Sequence, residues 1–281
     1  MPEGGLPVVG FVGLGEQGSP IAHRILDAGS PMVLWARRTA SLDQFRSTSA
    51  RLAESLGEVA SRSDIVCLCV LDDGDVEEVL HGGLLDSMGP RSLIVVNSTT
   101  RPDTCRRLAA EAERRSVSLI DAPVSGMARG AVQGTMAIFV GGASPDFERY
   151  APVARTFGTP THVGPLGSGQ IVKLLNNMTA ACNLVIAQDT LAIGEELGVN
   201  RDALVSALMS GTAGCRFLEQ FATSGFDPAF ARNPDFFLRD WKRILADLEG
   251  VLDGARVAGR LVQDLGRVFV ERTQEHVSSI T

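Results

Sequence analysis

The chain has 281 residues, of which 44% are hydrophobic and 21% charged, and its formal net charge is −7. This length and composition are typical of a soluble globular protein with two domains or one large one. The acidic balance argues against binding to nucleic acids or anionic membranes, which needs a basic face. No membrane-spanning apolar run is present and the opening MPEGGLPVVG lacks the features of a secretory signal, so a cytoplasmic protein is expected.

The first half of the chain alternates short apolar runs with amphipathic stretches, which is typical of parallel βαβ units. The runs are rich in Val, Ile and Leu without polar alternation, so the strands are expected in a sheet covered on both faces. Strands are predicted at 7–12, 31–35, 64–71, 92–96, 118–120 and 137–140. Helices are predicted at 19–28 and 104–115, and the strand pattern ends near Val163.

A glycine motif follows the first predicted strand and opens the first helix. It contains Gly13, Leu14, Gly15, Glu16, Gln17 and Gly18. In such a GxGxxG turn the first glycine permits the tight bend, the second lets the backbone approach a pyrophosphate, and the third lets helix pack on strand. The helix N-terminus then offers free N–H groups to phosphate. The motif predicts a dinucleotide site; a glycine turn without a ligand is the alternative.

Two arginines follow the second predicted strand, where an NAD-selective site would place an acidic residue. The sequence there is Arg37, Arg38 and Thr39. Guanidinium groups bind a 2′-phosphate through charge-assisted bonds, so the pattern favours NADP over NAD. A solvated basic turn is the alternative interpretation.

Neither the cysteines nor the histidines have the spacing of a metal site. The five cysteines are an odd set without a CxxC pair and are expected to be reduced thiols: Cys67, Cys69, Cys105, Cys182 and Cys215. Asp72 begins a DDGD sequence that resembles a calcium loop but lacks its later ligands. We interpret it as a turn and helix cap that contacts the cofactor through Leu71 and Asp72.

From Gly169 onward the pattern is helical. Residues 171–197 have apolar side chains near a 3.6-residue period, and further helices are predicted at 200–210, 235–258 and 262–276. The first of these helices is long enough to bridge two domains or to be buried at a subunit contact. The sequence therefore predicts an α/β dinucleotide-binding domain over 1–165, an all-helical domain over 166–281, and at least a homodimer through the helical domain.

Four blocks together resemble the β-hydroxyacid dehydrogenase family, which includes 3-hydroxyisobutyrate dehydrogenases and glyoxylate/succinic semialdehyde reductases and is related to 6-phosphogluconate dehydrogenase. They are GFVGLGEQGSPIAHRILDAG with RRT at 37–39, NSTTRP at 97–102, DAPVSGM at 121–127 with later GA and GT pairs, and GSGQIVKLLNN at 167–177. The family fold is a Rossmann domain joined by a long helix to an all-α domain. The resemblance thus implies the same two-part α/β architecture.

The resemblance also implies roles for individual residues. Ser125, Gly126 and Met127 are expected to hold the carboxylate of a small-molecule substrate, and Leu71 and Thr99 to line the cofactor. Lys173 is expected to be the acid and base, with Asn177 beside it. Two departures concern Gln17, where Met is usual, and Met127, where the family has a second glycine. Lys242 is the best candidate for a second family lysine near the C-terminus and is expected to contact the cofactor.

The residues around Lys173 support acid–base chemistry independently of the family resemblance. Lys173 and Asn177 are four apart, so on a helix they share one face. An asparagine in an apolar helix needs polar partners, and a lysine in the same patch is partly desolvated, which eases loss of its proton. A surface lysine with its ammonium in solvent is the alternative.

Three functions remain open at this point. The first is an NADP-dependent dehydrogenase or reductase of a short β-hydroxyacid or the matching aldehyde or keto acid. The second is an imine reductase, a related group that commonly has Asp or Tyr at the position of Lys173. The third is a non-catalytic cofactor-binding scaffold, whose mark would be loss of that lysine.

Overall fold

The computed structural model describes residues 6–216, 218, 219, 264 and 271. It divides into two compact units, with the break after Lys173. The assignment of separate roles to 1–165 and 166–281 stays a prediction. Within the described residues, no helix has both the length and the apolar character of a membrane span.

The first unit is built on a mixed, mostly parallel sheet of nine strands in the order β3-β2-β1-β4-β5-β6-β8-β7, with β9 paired to β8. The first six strands in that order, from β3 through β2, β1, β4 and β5 to β6, are parallel to one another. Strand β8 is antiparallel to β6 and β7. The strands are β1 (Val9–Val12), β2 (Met32–Trp35), β3 (Arg51–Leu52), β4 (Ile65–Leu68), β5 (Leu93–Val96), β6 (Ser118–Asp121), β7 (Val124–Ser125), β8 (Met136–Gly141) and β9 (Gly158–Gly164).

The helices of the described chain connect these strands and then continue beyond them. They are α1 (Gly18–Asp27), a 3₁₀ helix (Thr39–Phe45), α2 (Leu56–Arg62), α3 (Asp73–Val79), a π turn (Leu80–Leu84), α4 (Leu85–Ser87), α5 (Pro102–Glu113), α6 (Met127–Gln133), α7 (Ser144–Ala154), α8 (Ser168–Glu196) and α9 (Arg201–Ser210).

The central strands are buried on both faces, as their unbroken apolar runs predict. All four residues of β1, β4 and β5 are buried. One apolar cluster covers one face of the sheet and includes Phe11, Ile21 and Tyr150; the other covers the opposite face and includes Val12, Leu80 and Leu108. The predicted α/β fold, with a sheet covered by helices on both faces, is confirmed.

The strand order reverses between β1 and β4. In an open α/β sheet the connections leave a crevice at such a reversal, outside the carboxyl ends of the strands. Gly13, which follows β1, and Cys69, which follows β4, meet there: a Cβ atom at Gly13 would overlap the Cys69 carbonyl oxygen. The two loops that bear the glycine motif and Leu71 therefore begin side by side.

The second unit, as described, contains most of α8 and all of α9. Its core is formed by Ala187, Leu191, Val205 and Leu218. Asn200 caps α9 by accepting a hydrogen bond from the Ala203 N–H, 3.0 Å from its side-chain oxygen. The helices predicted at 235–258 and 262–276 lie outside the described residues.

Candidate active site

The glycine motif has the geometry that a dinucleotide turn requires. Gly13 has φ +98°, a left-handed conformation that residues other than glycine rarely adopt. A Cβ at Gly18 would overlap the Gly13 carbonyl oxygen, so α1 packs against the turn only because Gly18 lacks one. A Cβ at Gly15 would meet no described atom within 4 Å. The middle glycine thus faces open space, where a ligand can approach the backbone.

The start of α1 is suited to an anion. Among the described residues no side chain caps this terminus and no acidic residue lies in its first turn. The N–H groups of a first helical turn lack partners within the helix, and the helix dipole favours negative charge there. Leu14 is buried, and its carbonyl oxygen accepts the Ser19 hydroxyl at 3.0 Å, which fixes the turn. The residues fit the diphosphate of a dinucleotide.

The two arginines after β2 have different surroundings. Nη1 of Arg37 lies 3.2 Å from a carboxylate oxygen of Asp75 and 3.1 Å from one of Glu78. Arg38 is exposed, precedes the 3₁₀ helix that Thr39 opens, and has no ion pair among the described residues. Arg37 is therefore already paired with acidic side chains, whereas Arg38 is available to an incoming anion.

The loop after β4 is held by α3. Asp72 caps that helix, because its side-chain oxygen accepts the Asp75 N–H at 3.1 Å. The Leu71 N–H donates to the Asp75 carboxylate at 3.2 Å, and the Leu71 side chain is 58% exposed. The predicted helix cap is confirmed, and the apolar Leu71 side chain is presented outward from the carboxyl end of β4.

The turn after β5 contains a second set of polar groups. Asn97 and Ser98 are buried. The Asn97 amide donates to the Ala122 carbonyl at 2.8 Å and to the Tyr150 hydroxyl at 2.9 Å, which ties the end of β5 to the core. The Ser98 hydroxyl accepts the Val70 N–H at 2.9 Å. Thr99, the predicted cofactor contact, follows directly.

Asp121 at the end of β6 is a buried carboxylate that sequence reasoning assigned no role. Its two oxygens accept the N–H groups of Gly167 and Gln170, each at 2.7 Å. Gly141 and Gly169 allow this approach, since a Cβ on either would overlap an Asp121 carboxylate oxygen. Burial raises the pKa of Asp121 to about 6, against the lowering effect of the two N–H donors. At neutral pH the carboxylate is ionised and anchors the first turn of α8.

This pKa gives a testable pH dependence of stability. Between about pH 4 and pH 6 the unfolded chain loses the Asp121 proton before the folded chain does, so stability from this group falls as pH rises through that window. We expect the unfolding free energy of the wild type, relative to Asp121→Asn, to increase by about 1.4 kcal/mol from pH 7 to pH 5, one pKa unit below 6. Urea unfolding of both proteins at each pH measures it. If the unfolding free energy of the wild type relative to Asp121→Asn is instead smaller at pH 5 than at pH 7, the two N–H donors outweigh burial in setting the pKa of Asp121.

The predicted substrate loop is the junction of β7 and α6. Ser125 ends the strand, Gly126 has φ +137° and Met127 has φ +57° at the first residue of the helix. A left-handed conformation costs a non-glycine residue free energy and persists where the surrounding structure imposes it. The Met127 side chain is 39% exposed. The methionine therefore keeps the backbone conformation of a glycine while adding an exposed apolar side chain.

Lys173 and Asn177 lie one helical turn apart on α8. Both side chains are buried, with 6% and 7% of their surface exposed. The alternative of a lysine extended into solvent is wrong. The Asn176 amide donates to the Asn177 side-chain oxygen at 3.3 Å. Lysine is almost never fully buried unless its ammonium is paired, and a buried ammonium next to polar side chains is a candidate functional group.

The cysteines and the potential metal ligands among the described residues form no second centre. All five cysteines are free thiols, and burial raises the pKa of Cys69 and of Cys105 to about 12. No group of His, Cys, Asp and Glu within the described part of the chain has the arrangement of a metal site. Lys242 lies outside the described residues.

The site residues that sequence reasoning missed are Asp121, Gln170, Asn97 and Tyr150. Asp121 and Gln170 stand inside the recognised DAPVSGM and GSGQIVKLLNN blocks, and an acidic residue directly after an apolar strand is a signal of a buried polar contact. Tyr150, the one tyrosine of the chain, carries no local signal. Its contact with Asn97 joins residues 53 positions apart.

Comparison with known proteins agrees with this geometry. Residues 8–167 match the NAD binding domain of 6-phosphogluconate dehydrogenase, and residues 167–265 match the NAD-binding domain of NADP-dependent 3-hydroxyisobutyrate dehydrogenase. A probable mitochondrial 3-hydroxyisobutyrate dehydrogenase-like protein of Arabidopsis thaliana is 34% identical over 215 residues, which are 76% of this chain and 68% of the relative.

Two solved structures share the fold. A 3-hydroxyisobutyrate dehydrogenase of Mycobacterium tuberculosis, solved with L-serine, has a TM-score of 0.83 at 22% identity and covers 97% of this chain and 95% of its own. An imine reductase from Pseudomonas sp. has a TM-score of 0.65 at 18% identity, over 97% and 94%. The solved structures thus share the fold, and the sequence matches identify the chain as a member of the β-hydroxyacid dehydrogenase family, a nicotinamide-dependent oxidoreductase that acts on a hydroxyl group.

Proposed function

We propose that this protein transfers a hydride between NADP(H) and a short β-hydroxyacid, or the corresponding aldehyde or keto acid, with Lys173 as general acid and base. The observation that carries the proposal is the buried Lys173 on α8, a helix whose first turn Asp121 anchors to the sheet. Bound nicotinamide supplies or accepts the hydride. In reduction Lys173 donates a proton to the carbonyl oxygen, and in oxidation it removes the hydroxyl proton.

The cofactor is assigned to the glycine turn and the ends of the parallel strands. Gly13, Leu14, Gly15, Gln17 and Gly18 would hold the diphosphate at the start of α1. Leu71, Asp72 and Thr99 would line the nicotinamide half, at the ends of β4 and β5. Supporting this assignment are the open space at Gly15 and the exposure of Leu71.

The substrate carboxylate is assigned to Ser125, Gly126 and Met127. Ser125 offers a hydroxyl, and the backbone that Gly126 makes possible at φ +137° exposes N–H groups at a strand–helix junction. Asn177 would orient the substrate beside Lys173, and Lys242 would be a further contact to the cofactor. Met127 is bulkier than the glycine usual in the family and would reshape this carboxylate pocket, so it bears on the size of the substrate.

A turnover assay separates this proposal from the two alternatives. NADPH absorbance would be followed with small carboxylate-bearing aldehydes, keto acids and cyclic imines. Turnover of the aldehydes or keto acids supports the proposal, and turnover of imines alone indicates the imine reductase function. NADPH binding without any turnover indicates a cofactor-binding scaffold.

We also propose that the protein is at least a dimer. Leu175, Ile186 and Ile193 are 39%, 51% and 56% exposed on α8. Their spacings of eleven and seven residues bring them to one face of a helix with 3.6 residues per turn. A second copy would cover such an apolar stripe. Light scattering at micromolar concentration is expected to give at least twice the chain mass, and a monomeric mass would contradict the proposal.

A further inference from the structure

Gln170 joins three segments of the first unit. It lies in the first turn of α8, and none of its surface is exposed. Its backbone N–H donates to the Asp121 carboxylate at 2.7 Å, at the end of β6. Its side-chain oxygen accepts the Thr100 N–H at 3.0 Å, and its side-chain amide donates to the Ser98 carbonyl at 2.9 Å. Every polar group of the Gln170 side chain therefore points to the turn after β5.

The two side-chain bonds bracket Thr99. Ser98 and Thr100 flank it on either side, and the Gln170 amide holds the carbonyl of one and the N–H of the other. A planar amide with both ends engaged leaves the peptide units around Thr99 little freedom to rotate. Because the carboxamide is buried, loss of either bond leaves a desolvated backbone group unpaired. The position of Thr99 thus depends directly on α8.

The network extends beyond this bracket. The Ser98 hydroxyl accepts the Val70 N–H at 2.9 Å and lies 3.3 Å from the Leu68 carbonyl. The turn after β5, which Gln170 holds, is therefore also hydrogen-bonded to the end of β4, next to Leu71. A chain of hydrogen bonds through Ser98 thus links α8 to both loops that would line the nicotinamide.

Lys173 follows Gln170 by three residues on the same helix. Residues three apart lie on the same side of an α-helix. The helical turn of α8 that holds Thr99 in place, through Gln170, is thus also the helical turn from which the Lys173 side chain extends. A rigid helical turn between the two residues converts the hydrogen bonds of Gln170 into a fixed separation between Thr99 and the lysine.

We propose that Gln170 is a positioning residue that sets the nicotinamide side of the site, through Thr99, against the proton donor Lys173. This inference rests on the proposed function. Reduction of a carbonyl delivers a hydride to its carbon and a proton to its oxygen. The position of the proton donor relative to the cofactor must therefore be fixed to within a fraction of an ångström. A misplacement of about 1 Å is enough to cost on the order of 10²-fold in rate.

The test is Gln170→Met, which keeps the volume of the side chain and removes both hydrogen bonds. We expect kcat to fall about 10- to 100-fold while KM for NADPH changes by less than about 3-fold, because the diphosphate and ribose contacts are untouched. Ser55→Ala is the matched control. It removes another side-chain bond to a backbone N–H, that of Glu58, at the start of α2. It should lower the melting temperature without lowering kcat.

A second variant makes the test independent of folding. Gln170→Glu is isosteric, but its carboxylate accepts hydrogen bonds only, so it would repel the Ser98 carbonyl. When protonated, the acid can again donate to Ser98 and accept from Thr100. We expect kcat, relative to the wild type at the same pH, to recover as pH falls, with circular dichroism showing folded protein throughout.

The outcomes separate the two proposals. If the wild type turns over substrate and Gln170→Met keeps its kcat, the positioning role is wrong and the proposed function stands. If the wild type turns over nothing, the proposed function fails. Hydrogen exchange at the Thr100 N–H then still decides whether Gln170 holds the turn: faster exchange in Gln170→Met supports the bracket, and unchanged exchange contradicts it.

Discussion

Replacement of Lys173 by alanine is expected to lower kcat by about 10²–10⁴-fold, the usual cost of removing a general acid or base. The substitution removes the ammonium and the apolar stem that carries it, and the glycine turn at Gly13 and Gly15 depends on neither. NADPH binding, followed by its fluorescence, should therefore be retained. Steady-state assays of NADPH absorbance, with the best of the aldehydes and keto acids tested on the wild type, would give the rates.

Because Lys173 is buried, alanine also leaves a cavity, and a second variant must separate packing from proton transfer. Lys173→Met keeps most of the apolar stem and removes the charge. We expect the same loss of kcat in both variants, with a smaller fall in melting temperature for methionine. A small primary amine added to Lys173→Ala should restore part of the rate by occupying the cavity. Near-normal kcat in both variants would show that another group carries the proton.

The sequence predicts the central strands well because they are buried on both faces, whereas β9, which is mostly exposed or half-buried and lacks an apolar run, was missed. Strands buried on both faces are continuous apolar runs, and the run at 92–96 became β5 (Leu93–Val96) with one residue of difference. The two-residue strands β3 and β7 could not be found in this way. A pair of residues has no period, and its pairing is set by the neighbouring strand rather than by its own side chains.

The candidate site was predictable where function is carried by local sequence. The glycines of the α1 turn act within six residues of one another, and their spacing states their roles. The contacts of Asp121 and Gln170 depend instead on residues 46 to 72 positions away. Only the folded sheet brings the ends of β5 and β6 against α8, so no spacing in the sequence could indicate that Gln170 brackets Thr99.

The pairing of Arg37 is a further feature that the sequence could not give. Arg37 and Arg38 are equivalent as letters, and both favour a 2′-phosphate. In the structure α3 places Asp75 and Glu78 beside Arg37, at 3.2 and 3.1 Å, which offsets its charge. Arg38 has no such carboxylate among the described residues. The two arginines should therefore differ in what they contribute to cofactor choice.

Replacement of Arg38 by alanine is expected to raise KM for NADPH about 10- to 100-fold and to leave KM for NADH nearly unchanged. A 2′-phosphate offers charge and acceptor oxygens that only NADP(H) carries, and a hydrogen bond to a charged group contributes about 1.5–3 kcal/mol, where each 1.4 kcal/mol is tenfold. Arg37→Ala is the matched control: its guanidinium is already engaged with Asp75 and Glu78, so its effect on KM for NADPH should be the smaller of the two. The Thr39 hydroxyl can donate one further bond to the phosphate. Comparable kcat/KM for NADPH and NADH in the unmodified protein would mean that both arginines face solvent and that the basic turn selects neither cofactor.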